Sequence, residues 1–313
     1  MTQAKARSKR PLDGVLLFDK PLTLSSNTAL QKVRRLFEAE KAGHTGTLDP
    51  LATGLLPICF GEATKFSNDL LDADKTYHAW VKLGQTSTTG DAEGEITHTQ
   101  APLPDATRVS SVLLDFIGTI QQLPPMYSAL KHQGKPLYEY IRKGETIERA
   151  SRSVTIYELK LECFAGDEME FTVRCSKGTY IRTLAEDIGL ALGCGAHLTG
   201  LRRTAIGRFS LDAAHTLPEL EAMDSKQRDA CLWSPDSLVQ ELPMLELDAE
   251  HAARIAQGQR LALDCGLPDG RVRLYDEAGR FMGVADLAGR RLAPYRLLSG
   301  VAKKAVGAGI IDN

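Results

Sequence analysis

The residue best placed to do chemistry is a lone carboxylate among small and apolar neighbours. Asp49 stands between Leu48 and Pro50 in the segment GHTGTLDPLATGLLP. A loop that holds a side chain rigidly while leaving it reachable suits a nucleophile or a general base. The plainer reading of the same residues is an Asp-Pro turn whose carboxylate bonds nearby backbone N–H groups. His44 precedes it in the same segment, but two ligands without a further His, Cys or Glu cluster make no metal site, and none is expected. The segment lacks the G-x-x-x-x-G-K-[ST] pattern, so its glycines do not mark a nucleotide cradle.

The elements that must hold Asp49 follow from patterning. GVLLFDKP reads as a buried strand ending in a turn, and SSNTALQKVRRLFEAEK as a helix capped by Ser25 or Ser26, with Leu30, Val33 and Phe37 on one stripe. GHTGTLDPLATGLLP has loop composition interrupted by a few apolar anchors and predicts a long ordered loop. LLPICF reads as a short buried strand, GEATKFSNDLLDAD as a helix, and KTYHAWVKLG as a strand with Tyr77, Ala79 and Val81 on one face. ATRVSSVLLDFIG is helical. Residues 123–149 lack a core pattern and read as a surface excursion. There Lys131, Lys135, Arg142 and Lys143 interleave with Tyr127, Tyr138 and Tyr140, which suits phosphate neutralisation with aromatic stacking.

SVTIYELKLECF and MEFTVRCSKG form a hairpin across AGDE. TYIRTLAEDIGLALG is a helix through Ile181, Leu184, Ile188 and Leu192 that stops near Gly193, and AHLTGLRRTAIGRFSL is a strand pair or a bend. Beyond a boundary near Pro243, segments such as RVRLYDEAGRFMGVADL alternate strands and turns, predicting a small β-rich, barrel-like module.

The 313 residues are long for one core and favour two domains. With 43% hydrophobic and 25% charged residues the chain lies outside the disordered range. No apolar run approaches a membrane span, and MTQAKARSKRPLDG lacks a secretory apolar stretch, so a cytoplasmic protein without membrane contact is expected. The six cysteines are scattered without a C-x-x-C pair, which argues against a zinc knuckle or a disulfide framework. Net charge is only −2, yet it is segregated. Residues 1–48 carry nine Lys/Arg against four Asp/Glu, whereas 211–250 carry two against ten. A basic side and an acidic side fit an RNA-binding protein.

One resemblance joins these readings. DKP at 19–21, GHTGTLDPLATGLLP, KTY at 75–77, PPMYSALKHQGKPLYEYIRKGE, SKGTYIRTLAEDIG and LTGLRRTAIG span most of residues 14–210. In this order they resemble the tRNA pseudouridine-55 synthases of the bacterial TruB family. The resemblance implies a mixed α/β (α+β) fold, with a pseudouridine synthase catalytic domain on a largely antiparallel sheet and a small PUA-like C-terminal domain. The expected division is a flexible tail at 1–12, a catalytic domain at 13–242 with an RNA-contacting insertion at 123–149, a PUA-like RNA-binding domain at 243–305, and a tail at 306–313. The implied activity is isomerisation of uridine 55 in the T arm of tRNA by a monomer that flips the base and needs neither cofactor nor metal.

The resemblance also implies site residues. Asp49 is the catalytic aspartate, Tyr77 the aromatic residue stacked on the target base, and Arg182 the partner that keeps Asp49 ionised. Lys20, Tyr180 and Leu201 bind substrate, and His44 fills the space the uridine leaves. Lys131, Lys135, Arg142, Lys143 and Arg202 contact RNA. The N1–C1′ bond must break, the base must turn, and C5 must rejoin C1′ with loss of its proton. Attack of the carboxylate on the sugar, attack on the base and a glycal route all remain open. A non-catalytic RNA-folding factor on the same scaffold, or an enzyme with another RNA target, is the alternative reading.

Overall fold

The computed structural model describes residues 9–300, apart from Ala129 and the side chain of Tyr138. The unbroken apolar run of β1 (Gly14–Lys20) reflects burial on both faces. Leu16 and Phe18 pack with Leu56, Ile58 and Phe60, while Val15 and Leu17 pack with Leu55, Cys59 and Phe66. In α1 (Ser26–Leu36) the N-cap is Ser25, whose side chain accepts from the Thr28 amide, and the helix buries Ala29, Leu30 and Val33.

The expected long loop is mostly strand. β2 (Ala42–His44) pairs with β3 (Ala52–Phe60), leaving only residues 45–51 as loop. Glycine, threonine and proline argued for loop locally, but pairing of β3 with β1 from Gly54 to Phe60 and with β12 from Ala52 to Gly54 overrides propensity. GEATKFSNDLLDAD likewise departs from one helix: a 3₁₀ turn at Gly61–Lys65 precedes the short α2 (Ser67–Leu71).

β4 (Lys75–Leu83) alternates buried and half-buried residues as its pattern predicts. A small hairpin of β5 (Gln85–Ser87) and β6 (Ile96–His98) follows, then α3 (Ala106–Asp115) and β7 (Gly118–Gln122). The surface excursion holds the two-residue strands β8 (Lys131–His132) and β9 (Lys135–Pro136) and the short α4 (Leu137–Ile141). β10 (Arg152–Ala165) and β11 (Glu168–Cys175) form the expected hairpin, and α5 (Ile181–Leu192) ends on Gly193 at φ 81°. β12 (Ala196–Ile206), β13 (Phe209–Ser210), β14 (His215–Thr216), α6 (Leu217–Ala222) and α7 (Ser225–Ala230) complete this part.

The large sheet runs β14-β1-β3-β12-β4-β11-β10-β7, with β2 and β13 attached beside β3 and β12. Along that path only β1–β14 and β3–β12 are parallel. The crossover through α5 is decisive, because it threads the late strand β12 between the early strands β3 and β4.

A second sheet is built from β15 (Met244–Leu247), β16 (Leu261–Ala262), β17 (Gly270–Asp276), β18 (Phe281–Ala288) and β19 (Arg291–Leu297), with α8 (Ala249–Ala256) inserted after its first strand. Its ladder order, β15-β17-β18-β19-β16, is that of an open sheet rather than a closed barrel. It packs on the first through Phe281 against Phe66, ring centroids 5.4 Å apart, and through Lys65, whose Nζ donates to the Leu297 carbonyl at 2.8 Å. Residues 1–8 and 301–313, which include most of the expected tails, lie outside the described residues. Arg10, expected in the flexible tail, is instead docked: its guanidinium pairs with Asp229 and its Nε donates to the Phe37 carbonyl at 3.0 Å. Among the described residues no helix is long and apolar enough to cross a membrane.

Candidate active site

Ladder partners in a sheet share a face, so register alone aligns side chains from distant segments. One such row crosses four strands: Lys20 of β1 is opposite Gly54 of β3, Gly54 opposite Arg203 of β12, and Arg203 opposite Tyr77 of β4. Gly54 is required in this row. It has φ 98°, and a Cβ there would lie 2.3 Å from the Arg203 carbonyl oxygen. The neighbouring row sets Ala52, Leu201 and Ala79 side by side.

The loop 45–51 hangs over these rows and is fixed by backbone bonds. The Thr45 amide donates to the Pro57 carbonyl at 3.1 Å and the Thr23 amide to the Pro50 carbonyl at 2.9 Å. The buried hydroxyl of Ser26 donates to the Leu48 carbonyl at 2.9 Å and accepts from the Leu48 amide at 2.7 Å. Asp49 follows directly, its side chain 43% exposed.

Arg182 reaches Asp49 from the start of α5. Its Nη2 lies 3.0 Å from Asp49 Oδ2 and its Nη1 3.5 Å from Asp91 Oδ2, while the guanidinium donates to the carbonyls of Thr89 at 2.9 Å and Tyr127 at 2.5 Å. The helix start has no side-chain cap. Gln122 instead takes the Tyr180 amide at 3.0 Å and donates to the Tyr180 carbonyl at 3.2 Å.

A cavity of about 300 Å³ lies between the loop and the sheet, with Asp49, Tyr77, Tyr180, Arg182, Leu201 and Arg203 among its walls. A wider cleft of about 690 Å³, bounded by His44, Asp91, Glu93, Tyr127 and Arg142, adjoins it. Asp49 and Arg182 line both, so the ion pair sits at the waist between them. Burial pushes the Asp49 carboxyl above its ordinary pKa. Arg182 opposes the shift, Asp91 adds to it and Lys20 opposes it. Burial raises the Tyr77 phenol as well, against the pull of the neighbouring Arg203 guanidinium. Among the described residues no group of three or more His, Cys, Asp or Glu is placed to hold a metal ion.

The structure thus brings Asp49, Tyr77, Arg182, Tyr180 and Leu201 to one cavity and His44 to the adjoining cleft. Lys20 does not reach the cavity surface. It is fully buried, its Nζ donates to the carbonyls of Pro21 and Leu24 at 2.9 and 2.6 Å, and burial lowers its pKa to about 8. Its influence on the site is the field it exerts on Asp49. Arg202 faces away from the cavity and pairs with Asp19 at 2.6 Å, because adjacent residues of a strand point to opposite faces. Lys131, Lys135, Arg142 and Lys143 are exposed on the excursion, and Arg142 is the one among them that borders the cleft.

Sequence reading missed Asp91, Ser26 as a loop clamp, and Arg203. Only Arg203 left a legible signal: in a strand carrying Leu201 inward, alternation sends Arg203 the same way and Arg202 outward.

A reachable, ion-paired carboxylate over a sheet-floored cavity is an arrangement suited to catalysis, and family models place the chain among the pseudouridylate synthases. The N-terminal domain of TruB family pseudouridylate synthases matches residues 34–181, the tRNA pseudouridylate synthase B C-terminal domain 182–240, and the TruB C-terminal domain of pseudouridine synthase II 243–298. The chain belongs to the TruB family of tRNA pseudouridine synthases, isomerases that turn uridine into pseudouridine in tRNA. It is 56% identical over 297 residues to a tRNA pseudouridine synthase B of Burkholderia mallei, covering 93% of this chain and 98% of that one. With the tRNA pseudouridine synthase B of Chromohalobacter salexigens it shares 54% over 300 residues, covering 95% and 97%. Among solved structures, a chain of a Cbf5-Nop10-Gar1 complex matches with TM-score 0.68 and 27% identity over 88% of this chain and 78% of that one. A chain of the archaeal box H/ACA sRNP Nop10-Cbf5 complex shares the fold at TM-score 0.69 and 24% identity, over 92% and 86%.

Proposed function

We propose that the enzyme isomerises uridine 55 in the T arm of tRNA, with Asp49 as the catalytic carboxylate. The observation that carries this reading is the Asp49–Arg182 pair, 3.0 Å apart where a small cavity meets a wider cleft. The volume of the inner cavity, about 300 Å³, suits one small planar group rather than a stretch of chain. A base inside folded RNA reaches such a cavity only by leaving its stack. In this reading the base enters the cavity against Tyr77, Tyr180 and Leu201, and the RNA lies along the cleft with His44 near the gap the base leaves.

Asp49 acts on the sugar carbon or the base once N1–C1′ is strained or broken, and Arg182 keeps it ionised against the pull of burial. The exposed Lys131, Lys135, Arg142 and Lys143 meet phosphates of the T stem-loop. The PUA-like module from 243 adds a second RNA contact, and the enzyme acts as a monomer. Arg202, turned away from the cavity, meets RNA only if the strand extends around the sheet edge.

The test is to map pseudouridine in total tRNA from cells with and without this protein, together with the purified protein on a T stem-loop RNA. Pseudouridine at position 55 is expected to depend on the protein. Unchanged modification at 55 in both assays sinks the substrate claim.

A further inference from the structure

Two buried cations face the inner cavity beside Tyr77. Arg203 is 1% exposed, its donors go to the Leu55 carbonyl at 2.8 Å and the Gly46 carbonyl at 3.4 Å, and it stands opposite Tyr77 in the β12–β4 ladder. Lys75, 8% exposed, donates to the carbonyls of Leu71 and Ala73 at 2.6 and 2.5 Å. Among the described residues neither has a carboxylate within ion-pair distance, and each borders the cavity. Burial, with the nearby Arg203 charge adding to it, depresses the Lys75 pKa to about 8. A buried cation without a counter-ion is costly.

The loop side has the reverse sign. Asp49 on the inner cavity and Asp91 on the adjoining cleft share the single guanidinium of Arg182. The site is therefore polarised, with the Asp49 carboxylate on the loop side of the cavity and cations without a carboxylate partner on the Tyr77 side.

That polarity fits a separation of charge within the substrate. When N1–C1′ breaks, the electron pair stays with N1 and the base becomes an anion, while C1′ becomes electron-poor and either bonds Asp49 or loses a C2′ proton. If Asp49 instead adds to C6, the electrons of the C5–C6 double bond move towards O4. On every route the negative charge appears on the base. Bonding of C5 to C1′ neutralises the base, and the C5 proton is then lost as N1 gains one. A C2′ proton taken up by the Asp49 carboxylate is returned to C2′, and any bond to Asp49 returns its pair to the carboxylate.

We propose that Arg203 is the positioning residue that stabilises negative charge on the uracil, acting through the hydroxyl of Tyr77, its cross-strand neighbour on the cavity wall. The guanidinium lies beside the phenol, and its positive field polarises the O–H, which the cavity-lining position of Tyr77 offers as a donor to a base oxygen. Burial keeps the phenol protonated and so able to donate. The inference rests on the function proposed above and is independent of which atom Asp49 attacks.

The experiment compares Arg203→Met and Arg203→Lys, each alone and with Tyr77→Phe, in single-turnover pseudouridine formation on T stem-loop RNA. Melting temperature and RNA affinity are measured alongside. Replacing an unpaired buried cation by an apolar residue of similar length is compatible with folding. Arg203→Met is expected to keep RNA affinity while its rate falls about 10²–10³-fold, the effect of losing a preorganised donor to developing charge. With Tyr77→Phe already present, the same change is expected to cost far less, because the relay is gone.

A folded Arg203→Met at wild-type rate overturns the proposal, as does an equal penalty in both Tyr77 backgrounds. If Arg203→Met does not fold, Arg203→Lys, which keeps the charge but not the fork, is read in both backgrounds by the same criterion. Wild-type protein runs in parallel. Its failure to make pseudouridine defeats the proposed function itself, whereas active wild type with equally active variants defeats only the role of Arg203.

Discussion

The hydroxyl of Ser26 both donates to the carbonyl and accepts from the amide of Leu48, so the first residue of α1 clamps the backbone immediately before Asp49. Through this contact the orientation of the carboxylate is tied to the packing of α1 on the sheet.

Ser26→Ala leaves the Leu48 amide and carbonyl buried without a partner, which costs about 1–3 kcal/mol. Urea denaturation should show that loss. The turnover rate should fall while RNA affinity stays, since the clamp positions Asp49 and not the RNA. A variant destabilised as expected but fully active shows that the loop holds Asp49 without Ser26.

Asp49→Asn should abolish pseudouridine formation while leaving tRNA binding intact. The sign of its stability effect follows from the raised carboxyl. Folding disfavours the ionised form, a cost absent below the ordinary value of 3.8 and complete above the folded value, so stability falls as pH rises through that window. Asparagine removes the cost at pH 7, and the melting temperature should not drop. A clear drop means that Asp49 stabilises the fold as an ion pair, against the direction inferred here.

Lys20→Met and Asp91→Asn should move the acid limb of the rate profile in opposite directions. That limb reports ionisation of Asp49 and lies above pH 3.8. Lys20 favours the ionised form, so its loss moves the limb to higher pH; Asp91 disfavours it, so its loss moves the limb lower. Lys20 itself is depressed from 10.5 to about 8, so folding disfavours its charged form below that value and Lys20→Met should not destabilise the protein at pH 7. Parallel shifts of the two limbs exclude this charge balance.

Arg182→Lys keeps a cation but cannot serve Asp49, Asp91 and the carbonyls of Thr89 and Tyr127 together. A fall in turnover on the order of 10²-fold is expected, with RNA affinity retained. Near-normal turnover means a point charge suffices and the fork geometry is dispensable.

Gly54→Ala must part β3 from β12, because its Cβ falls 2.3 Å from the Arg203 carbonyl oxygen at φ 98°. A loss of about 3 kcal/mol or more in denaturant titration is expected. A milder loss shows that the two strands can separate locally.

Much of the fold was legible where periodicity is strong: the strand of Tyr77, Ala79 and Val81, the hairpin of β10 and β11, and the helices α1 and α5 follow directly from it. Reading failed where local propensity and pairing disagree. The loop-like ATGLLP is the front of a central strand, and GEATKFSNDLLDAD breaks into a turn and a short helix. The docked Arg10 was also invisible, since its partner Asp229 lies at the far end of the domain.

By itself the sequence determined the chemistry-bearing residue types and their order, from the strand and helix patterns to the motif around Asp49. Tertiary structure alone decided which of them meet. Inserting β12 between β3 and β4 sets Arg203 beside Tyr77 and turns Arg202 outward, and the entry of α5 sets Arg182 between Asp49 and Asp91. The physical reason is that register and crossover are properties of pairs of segments. A single segment carries its own periodicity, but the residue it will face is fixed only when another strand or helix packs against it.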